Sequence, residues 1–512
     1  MTMEEDKDSV VEHLDAVVVG AGISGICAGY YLSHQLGDTS FTILESRSNL
    51  GGTWDLFKYP GMRSDSDMFT FSYGFHPWQS TQHFGSSADI RRYLDEVVNK
   101  YEIRKRIQFN SAVLSASFST QEQRWTLKVS YPGGDKLVKC RFLVMCTGYY
   151  DYKNGFSPSI QGKSDFEGDI VHSQDWEQDY NVTGKRVVVV GSGATAVTVL
   201  PELAKQNCSK LTMLQRSPTY IAPVPSHQHV ILPVRLLLAV PLLGPLLLPL
   251  IWAWKRLLNI FISWFFFKLC RAFPNFMKRM WLKRLSLAFG EEDMVHFTPK
   301  YNPWEQRVCA DPDGVFFKCY KEGRFDIATD HISHFDKRSI HLKSGARLEA
   351  DVVMLATGLN LKFGGGITVT VDGQEAPLKD QVLYRGMMLS NLPNCFLAMG
   401  YTNASWTLKV ELMCKHMTKL MRHMRQHRLA VVVPRVPTDK SFRTNDLLDF
   451  SSSYFKRHAD EIPKQGSTFP WKAPQSYFHD LFTARCKSLT DSALDFQTEV
   501  IGPHQCNAKS NL

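Results

Sequence analysis

The stretch LDAVVVGAGISGICAGYYL, residues Leu14–Leu32, decides the fold. An apolar run that predicts a buried strand is followed by a glycine turn and then by a helix pattern. In the GxGxxG turn, Gly20 permits the tight bend, Gly22 lets backbone N–H groups reach a pyrophosphate, and Gly25 lets the helix pack closely on the strand. The next strand, FTILE, ends at Glu45, 20 residues after Gly25, where a carboxylate accepts ribose hydroxyls. We therefore predict a dinucleotide site here.

The same pattern recurs 171 residues later as GSGATA, Gly191–Ala196, again between an apolar strand and a helix pattern. Two copies predict two dinucleotides and a doubly wound α/β fold. The strand after the second copy ends in Gln215 and Arg216, where an NAD site carries a carboxylate. Because a guanidinium can pair with a 2′-phosphate, the second site is predicted to prefer NADPH over NADH.

Composition narrows the class of protein further. With 512 residues, of which 44% are apolar and 21% charged, the chain has the composition of a globular protein of about three domains. Its net charge of +9 suits anionic cofactors or a lipid surface and is too diffuse to indicate nucleic-acid binding. Eleven cysteines without a CxxC pair argue against a zinc ribbon or a dithiol centre, and we expect no metal site. This cysteine usage favours a reducing compartment, and the acidic N-terminal segment contains no recognisable signal peptide.

Two dinucleotides indicate a flavoprotein that takes hydride from NADPH. Since paired cysteines are lacking, the electrons would pass to a quinone, a metal partner or molecular oxygen. The glycine motifs alone leave these three acceptors open.

Further motifs resemble a known family. FEGDIVHSQDW fits FxGxxxHxxxW through Phe166, Gly168, His172 and Trp176, which resembles the fingerprint of Baeyer–Villiger monooxygenases. GGTWDLFKYPGMRSDSDMFTF, MLQRSPTYI, TPKYNPWEQRVC, ATGLNL and GYTNASWTLK look like the ethionamide-activating branch of that family. The resemblance spans roughly residues 14–471, with the motifs in family order.

The resemblance implies two cofactors, FAD and NADPH, and a set of residues that contact them. Those implied to contact FAD, besides the first glycine turn and Glu45, are Ser24, Thr53, Trp54, Asp55, Leu56 and Val113. Those implied to hold NADPH are Gly191, Ser192, Gly193, Ala194, Thr195, Ala196, Val197, Gln215 and Arg216. Arg63 and Ser64 fall in a loop that faces both flavin and nicotinamide, while His172 and Trp176 would lie on the linker between the domains.

The resemblance also implies the catalytic residues. Arg307 matches the family's catalytic arginine, and Asp65 matches its carboxylate partner. In this chemistry a C4a-peroxyflavin attacks a ketone, and a fixed cation stabilises the negative charge that develops. Gln306 departs from the family pattern, which has lysine there, so Arg216 must do more to hold the 2′-phosphate.

The segment between Arg216 and Arg307 is unusually apolar. Leu236–Trp254 contains no charge and is about long enough to cross a bilayer, but its prolines make a regular helix unexpected. It is followed by Lys255-Arg256, a second apolar run and a basic amphipathic stretch, with Trp252, Trp254, Trp264 and Trp281 interleaved among cations as at a lipid headgroup boundary. Both flanks must serve one active site, so we expect a monotopic or re-entrant anchor. The alternatives are a helical subdomain over the substrate pocket and a true membrane span.

We accordingly predict an FAD domain (1–155 and 360–512), an NADPH domain (156–217 and 297–359) and an apolar helical insert (218–296). The expected function is Baeyer–Villiger oxidation of lipophilic ketones by O₂, with S-oxidation as a side activity. The alternatives are a mainly S/N-oxygenating flavin monooxygenase and a non-catalytic membrane-tethered flavoprotein. We expect a membrane-associated protein whose catalytic domains face the cytosol (endoplasmic reticulum in a eukaryote), and the sequence does not indicate the oligomeric state.

Overall fold

The computed structural model describes residues 12–227, 244–439, 441–447 and 457–499. The polar N-terminal segment and residues 228–243 of the predicted insert lie outside these ranges.

The first part of the chain builds a large sheet around the first glycine turn. The strands that this part of the chain gives to the sheet are β1 (Glu12–Val19), β2 (Phe41–Leu44), β3 (Ile107–Gln108), β4 (Ala112–Ser119), β5 (Arg124–Tyr131) and β6 (Gly134–Met145). The next strand, β7 (Tyr150–Gly155), lies outside this sheet. The helices of this part are α1 (Ile23–Gln35), α2 (Thr53–Leu56), α3 (Met68–Phe71) and α4 (Ser87–Lys100). Strand β1 lies between β2 and β6, parallel to both, so the glycine turn opens at the carboxyl ends of parallel strands. Such strand ends are where ligands bind in open α/β sheets.

The middle of the chain builds a second, parallel sheet of five strands in the order β13-β10-β9-β17-β8. Strands of this region are β8 (Asp169–His172), β9 (Arg186–Val190), β10 (Lys210–Gln215), β11 (Ile221–Val224), β12 (Cys309–Pro312), β13 (Asp326–Thr329), β14 (Ile332–Phe335), β15 (Ser339–Leu342), β16 (Arg347–Glu349), β17 (Val352–Leu355) and β18 (Leu359–Leu361). Its helices are α5 (Ala194–Ala204), α6 (Gly244–Ala272), α7 (Pro274–Phe289), α8 (Met294–Phe297) and α9 (Val315–Lys321).

The last part of the chain returns to the first sheet. Its strands are β19 (Thr368–Val371), β20 (Gln374–Glu375), β21 (Leu383–Tyr384), β22 (Met388–Leu389), β23 (Cys395–Leu397), β24 (Leu429–Pro434), β25 (Thr444–Asp446), β26 (Lys464–Gly466) and β27 (Leu494–Thr498), with helices α10 (Trp406–Gln426) and α11 (Tyr477–Cys486). Strands β19 to β23 join the first sheet, with β19 beside β4 and β23 beside β6, and bring it to eleven strands. Strand β24 pairs with β27, and β25 pairs with β26. The predicted boundaries near 155 and 360 fall at a two-stranded ribbon in which β7 pairs with β18.

Alternation along the central strands puts a core on each face of both sheets. In β1, Val17 and Val19 face one core and Ala16 and Val18 the other. The four consecutive valines of β9 divide in the same way. Helix α10 packs its apolar face, including Met417 and Met424, into the same core as Ala16 and Val18.

The apolar insert differs from the prediction in two respects. First, α6 is a continuous helix of 29 residues that contains Pro249, so the expectation that prolines prevent a regular helix is wrong from Gly244 onward. Pro249 lies in the second turn, where it removes one hydrogen bond and leaves the following turns intact. One stretch of this helix, Leu247–Ala272, is long and apolar enough to cross a membrane by length and composition.

Second, Lys255, Arg256 and three of the four tryptophans assigned to a lipid boundary face protein, whereas Arg279, Lys283 and Arg284 of α7 are exposed. Lys255 is 6% exposed and Trp252 is 8% exposed, and the ring of Trp252 stacks on Phe69 of α3. Trp264 and Trp281 are half-buried, against Phe478 and Tyr220 respectively. Only Trp254 of these four tryptophans is largely exposed, at 63%.

Candidate active site

The first glycine turn is held by backbone contacts that only glycine allows. Gly20 has φ +102°, and a Cβ on it would lie 2.6 Å from the Cys146 carbonyl oxygen. A Cβ on Gly25 would lie 1.8 Å from the carbonyl oxygen of Gly20, so the third glycine is required for the turn to close on α1. The N-cap of α1 is Gly22, which offers no side chain to cap the helix. The helix N-terminus thus presents bare backbone N–H groups, which suit a phosphate.

Glu45 lies at the mouth of this turn, as its spacing predicts. Its buried carboxylate accepts hydrogen bonds from the Ala21 amide (2.7 Å) and the Arg47 amide (2.9 Å). These bonds fix both oxygens beside the glycine turn. Oε1 also accepts from the Ser46 hydroxyl (3.4 Å), so Oε2 keeps a lone pair that can accept a ribose hydroxyl.

The residues of the GGTWD segment have different structural roles. Thr53 shares a hydrogen bond of 3.1 Å with the Tyr152 hydroxyl, and Trp54 packs edge-on against Phe71. Asp55 is buried, and its carboxylate is surrounded by three cations at 2.8 to 3.6 Å, namely Arg47, Arg91 and Lys58. Its charge is therefore compensated within the protein, and its role is to fix α2 rather than to offer a free acceptor.

Three further predicted FAD contacts surround this segment. Ser24 is buried in α1 and accepts a hydrogen bond from the indole of Trp406 (2.9 Å). Leu56 ends α2 and Val113 lies on β4, and both are half-buried.

The second glycine turn repeats the geometry of the first. Gly191 has φ +142°, and a Cβ on it would lie 2.3 Å from the Ala356 carbonyl oxygen. Gly193 caps α5 and borders open space, while the Ser192 hydroxyl donates to the Ser217 carbonyl oxygen (2.8 Å). Behind them, Ala196 and Val197 are buried, and Ala194 and Thr195 form the exposed and half-buried first turn of α5.

Gln215 is the last residue of β10 beside this second turn, and Arg216 follows it. Their side chains have different surroundings. The amide nitrogen of Gln215 donates to the His296 carbonyl oxygen and to Thr329 Oγ1, both at 2.9 Å, so only its oxygen remains for a ligand. Arg216 is exposed beside the turn.

A second arginine near Arg216 had no signal in the sequence. The guanidinium of Arg457 lies 3.5 Å from the centre of the Phe156 ring. Burial lowers the pKa of Arg457, and the neighbouring Arg216 lowers it further. The two residues are 241 positions apart, so no local pattern could have joined them.

The loop with Arg63, Ser64 and Asp65 meets the segment with Arg307. Arg63 donates to the Ala310 carbonyl oxygen (2.9 Å) and lies 3.9 Å from the Asp65 carboxylate. Among the residues that the structure describes, none hydrogen-bonds its buried Nε. Ser64 is buried, and its hydroxyl donates to the Ser66 carbonyl oxygen. The loop therefore holds a cation whose donors are not all used.

Asp65 is the carboxylate of this cluster. Desolvation by the surrounding protein raises the pKa of Asp65 to about 6. The charges of Arg63 and, to a smaller extent, Arg307 oppose this shift. Arg307 itself is exposed. The predicted Asp65–Arg307 pair is thus part of a group of three charges, in which Arg63 is the stronger partner of the carboxylate.

The residues of the FxGxxxHxxxW motif link the second sheet to the ribbon between the domains. His172 Nε2 donates to the Gly358 carbonyl oxygen (3.0 Å), while Nδ1 accepts from the Gln174 amide. Burial lowers the pKa of His172, which keeps the ring neutral in this arrangement. Phe166 and Trp176 are buried in cores on opposite faces of the second sheet, and a Cβ on Gly168 would lie 2.5 Å from the Asp351 carbonyl oxygen. These contacts give the motif a structural role at the domain connection.

Trp304, three residues before Arg307, is a further residue that sequence analysis missed. Its φ of +68° is rare for a bulky side chain. Its ring packs against Phe267 of α6, and its buried indole nitrogen has no hydrogen-bond partner within the described part of the chain. Strain of this kind concentrates at functional sites, and here it fixes the course of the chain that carries Arg307.

A cavity of about 560 Å³ lies beside the Arg63 loop. It is bordered by the loop with Tyr59 and Arg63, by Val197 and Thr198 of α5, and by Asp311 of β12. The two glycine turns offer the bare N–H groups that a pyrophosphate needs, and Arg63 Nε offers an unused donor. The residues present therefore fit two dinucleotides. Among the residues that the structure describes, no cluster of His, Cys, Asp or Glu could hold a metal ion.

Comparison with known proteins agrees with this geometry. The model of the flavin-binding monooxygenase-like family matches residues 14–229. The chain is 41% identical to the FAD-containing monooxygenase EthA of Mycolicibacterium smegmatis, over 95% of this chain and 98% of that one. It is 40% identical to the probable FAD-binding monooxygenase AlmA of Acinetobacter baylyi, over 95% of this chain and 96% of that one.

Solved structures show the same fold at low sequence identity. A steroid monooxygenase bound to NADP superposes with a TM-score of 0.74 at 19% identity, over 95% of this chain and all of that one. A closed structure of cyclohexanone monooxygenase gives a TM-score of 0.71 at 19% identity, over 96% of this chain and all of that one. The predicted α/β fold with two dinucleotide-binding sheets is confirmed.

Proposed function

The chain belongs to the flavin-binding monooxygenase-like family, as its motifs predict, and we propose that it is an FAD- and NADPH-dependent Baeyer–Villiger monooxygenase. The proposed reaction converts a lipophilic ketone, O₂, NADPH and a proton into an ester or lactone, NADP⁺ and water. The observation that carries the proposal is the group of Arg63, Asp65 and Arg307, which adjoins the cavity bordered by α5, in a chain with two dinucleotide turns.

The cofactors would occupy the two glycine turns. FAD fits the turn of α1 with Glu45 at its ribose, and NADPH fits the turn of α5 with Arg216 at its 2′-phosphate. When bound, flavin reduced by NADPH supplies the activation of dioxygen, which protein side chains cannot perform themselves.

The protein's own residues would stabilise charge during oxygen transfer. As oxygen adds to the ketone carbon, negative charge develops on the carbonyl oxygen, and a preorganised guanidinium stabilises it. Arginine suits this role because it stays protonated at any working pH and donates through a planar fork. The ionised Asp65 would orient the two guanidinium groups, as carboxylates around other reactive centres do.

S-oxidation is proposed as a side activity of the same site. A thioether needs no stabilised oxyanion, so its oxidation should depend less on Arg307 than ketone oxidation does. This difference separates the proposal from its main alternative, an S/N-oxygenating monooxygenase. Measurement of NADPH consumption stimulated by a ketone separates it from a flavoprotein that binds cofactors without oxygenating anything.

The test replaces the guanidinium. Arg307→Ala is expected to lower ester formation from an aliphatic ketone by about 10²- to 10³-fold, because one charge-stabilising donor is lost. Products are identified by mass spectrometry, and flavin absorbance verifies that FAD remains bound.

The matched control is Arg338→Ala, since Arg338 is 75% exposed and pairs with Glu167 away from this cluster. The control should retain the wild-type rate. Ester formation by Arg307→Ala at the wild-type rate would contradict the proposed role. A wild-type enzyme that oxidises thioethers and leaves ketones unchanged would favour the S/N-oxygenating alternative.

A further inference from the structure

Helix α6 is amphipathic with its faces reversed relative to an ordinary surface helix. Its outward stripe consists of large apolar side chains spaced three or four residues apart, and their exposures are 48–66%: Leu250, Trp254, Leu257, Phe261 and Phe265. A soluble protein normally turns such a stripe toward its core. Exposed apolar surface of this extent marks an interaction site.

Three polar side chains near the middle of α6, those of Lys255, Arg256 and Asn259, face inward instead. Arg256 donates to the carbonyl oxygens of Phe69 and Ser72 and forms a buried ion pair with Glu411 of α10. On the same side, Lys255 lies over the Phe69 ring at 4.8 Å. These contacts attach the central turns of α6 to the first domain.

The contacts of Arg256 determine how the helix can meet a bilayer. A helix that crosses a membrane must be surrounded by lipid or by other spanning elements over its full length. Residues 255 and 256 occupy the middle of the apolar stretch and contact the FAD-binding side of the molecule. Since the inner side of α6 is occupied by protein, only its outer side is open to lipid.

Helix α7 adds charge to the same surface. Its exposed side chains include Phe276, Met280 and Leu287, interleaved with Arg279, Lys283 and Arg284. Between residues 244 and 290 the sequence contains eight lysines and arginines and no aspartate or glutamate. Apolar side chains bordered by cations are typical of helices that lie in the headgroup region of anionic membranes.

We propose that the outer sides of α6 and α7, called here the hairpin surface, dock on an anionic phospholipid bilayer, with both helices lying in the interface. The lipid is favoured over a second copy of this chain because a symmetric contact would bring two sets of the same cations together. The cytoplasmic leaflet carries the anionic lipids, so the catalytic domains would face the cytosol. The inference is independent of the oxygenation reaction.

Flotation of the full-length, FAD-loaded protein with vesicles tests the proposal. Wild type should float with vesicles of phosphatidylcholine and phosphatidylserine and much less with phosphatidylcholine alone, and high salt should weaken the binding. Arg279→Gln/Lys283→Gln/Arg284→Gln should lower partition to anionic vesicles by about two orders of magnitude, at roughly fivefold per cation. Trp254→Ser/Phe261→Ser/Phe265→Ser should lower partition to both kinds of vesicle.

The control is Leu114→Ser/Leu137→Ser, which removes apolar residues of 44% and 43% exposure from the first sheet. It should float as wild type does. Flavin absorbance verifies the fold of every variant, and because flotation needs no turnover, its outcome is separate from that of the activity test.

Three results would overturn the proposal. The first is wild type that fails to float with anionic vesicles, or triple variants that float as well as the control. The second is wild type that stays with the membrane after alkaline extraction, which indicates a span. The third is a serine triple variant that changes the oligomeric mass in solution while vesicle binding is unchanged, which indicates a contact between copies.

Discussion

At the scale of single residues, the candidate active site contains a carboxylate, Asp65, whose negative charge is only partly compensated by neighbouring arginines. Asp65 has a pKa of about 6, well above the usual value for aspartate, because its protein surroundings disfavour the ionised form. The adjacent cations Arg63 and Arg307 oppose this effect without cancelling it. The ionised carboxylate therefore lowers the stability of the folded state at neutral pH. Groups with such perturbed pKa values are common in functional sites.

Asp65→Asn should stabilise the protein and slow the reaction. A carboxyl whose folded pKa exceeds its unfolded pKa of about 3.8 destabilises the folded state above pH 6, and this penalty disappears as the pH falls toward 3.8. Since the side chain is 29% exposed, the gain at neutral pH should be only about 1 kcal/mol after solvent screening. Ester formation should fall by about 10- to 100-fold, because the two guanidinium groups lose their orienting partner.

Urea unfolding and turnover, each measured from about pH 5 to about pH 8, check both effects. Wild-type turnover should decline below about pH 6 as Asp65 is protonated, and the asparagine variant should lack this decline. A stability difference that grows as the pH falls would contradict the assignment.

At the scale of elements, the two glycine turns and the α6–α7 hairpin illustrate different kinds of constraint. Each glycine turn is encoded as a short motif: a Cβ at Gly25 would overlap the Gly20 carbonyl oxygen of the same turn, and one at Gly191 would overlap the Ala356 carbonyl oxygen, which follows the neighbouring strand β17. The hairpin is instead specified by distant partners. Its inner side packs on the Arg307 segment through Phe267 and Trp304 and on α10 through Arg256 and Glu411.

The buried Arg256–Glu411 pair should be strongly coupled. Glu411→Gln leaves the Arg256 guanidinium buried with a weaker partner, and Arg256→Met leaves the Glu411 carboxylate without its cation. Each single change should cost about 3–5 kcal/mol of unfolding free energy, while the double change Arg256→Met/Glu411→Gln should cost much less than the sum.

A double-mutant cycle by denaturant unfolding measures this coupling. The exposed pair Lys105–Glu102 is the matched control, and its two single changes should be close to additive. Additive effects at Arg256 and Glu411 would show that the pair does not hold α6 to α10.

At the scale of the whole molecule, the two sheets each offer one dinucleotide site and are connected by the β7–β18 ribbon. His172 bonds to Gly358 at this connection, and the cavity beside Arg63 is bordered by residues from both domains. A ligand in the second site is therefore expected to stabilise the contact between the two domains as well as the domain that binds it.

NADP⁺ should raise the midpoint of thermal unfolding, and NAD⁺ at the same concentration should not. At one hundred times its dissociation constant a ligand contributes about 2.7 kcal/mol. Arg216→Gln should remove most of the difference between NADP⁺ and NAD⁺, since this variant lacks the guanidinium proposed to bind the 2′-phosphate. Arg457→Gln should reduce the difference between the two nucleotides less than Arg216→Gln does. Equal shifts of the wild-type unfolding midpoint with NADP⁺ and NAD⁺ would contradict the assignment of the second site.

The sequence by itself determined the α/β fold, both glycine turns and the family, because these rest on local requirements: strand period, backbone conformation and the close approach of chain to chain. It also placed Glu45 correctly beside the first turn, since one βαβ unit fixes that distance. It misjudged the helix at Gly244 and the surroundings of Lys255 and Trp252, because composition does not reveal which side of a helix meets protein.

Only the tertiary structure decided which distant groups meet. The pairing of Arg63 with the Ala310 carbonyl and of Arg256 with Glu411 each joins segments more than 150 residues apart, and so does the repulsion by which Arg216 lowers the pKa of Arg457. Such contacts depend on how sheets, ribbon and hairpin pack, and packing is a property of the whole chain. The physical reason is one of range: backbone geometry is set by neighbours in sequence, whereas charge compensation and exposure are set by neighbours in space.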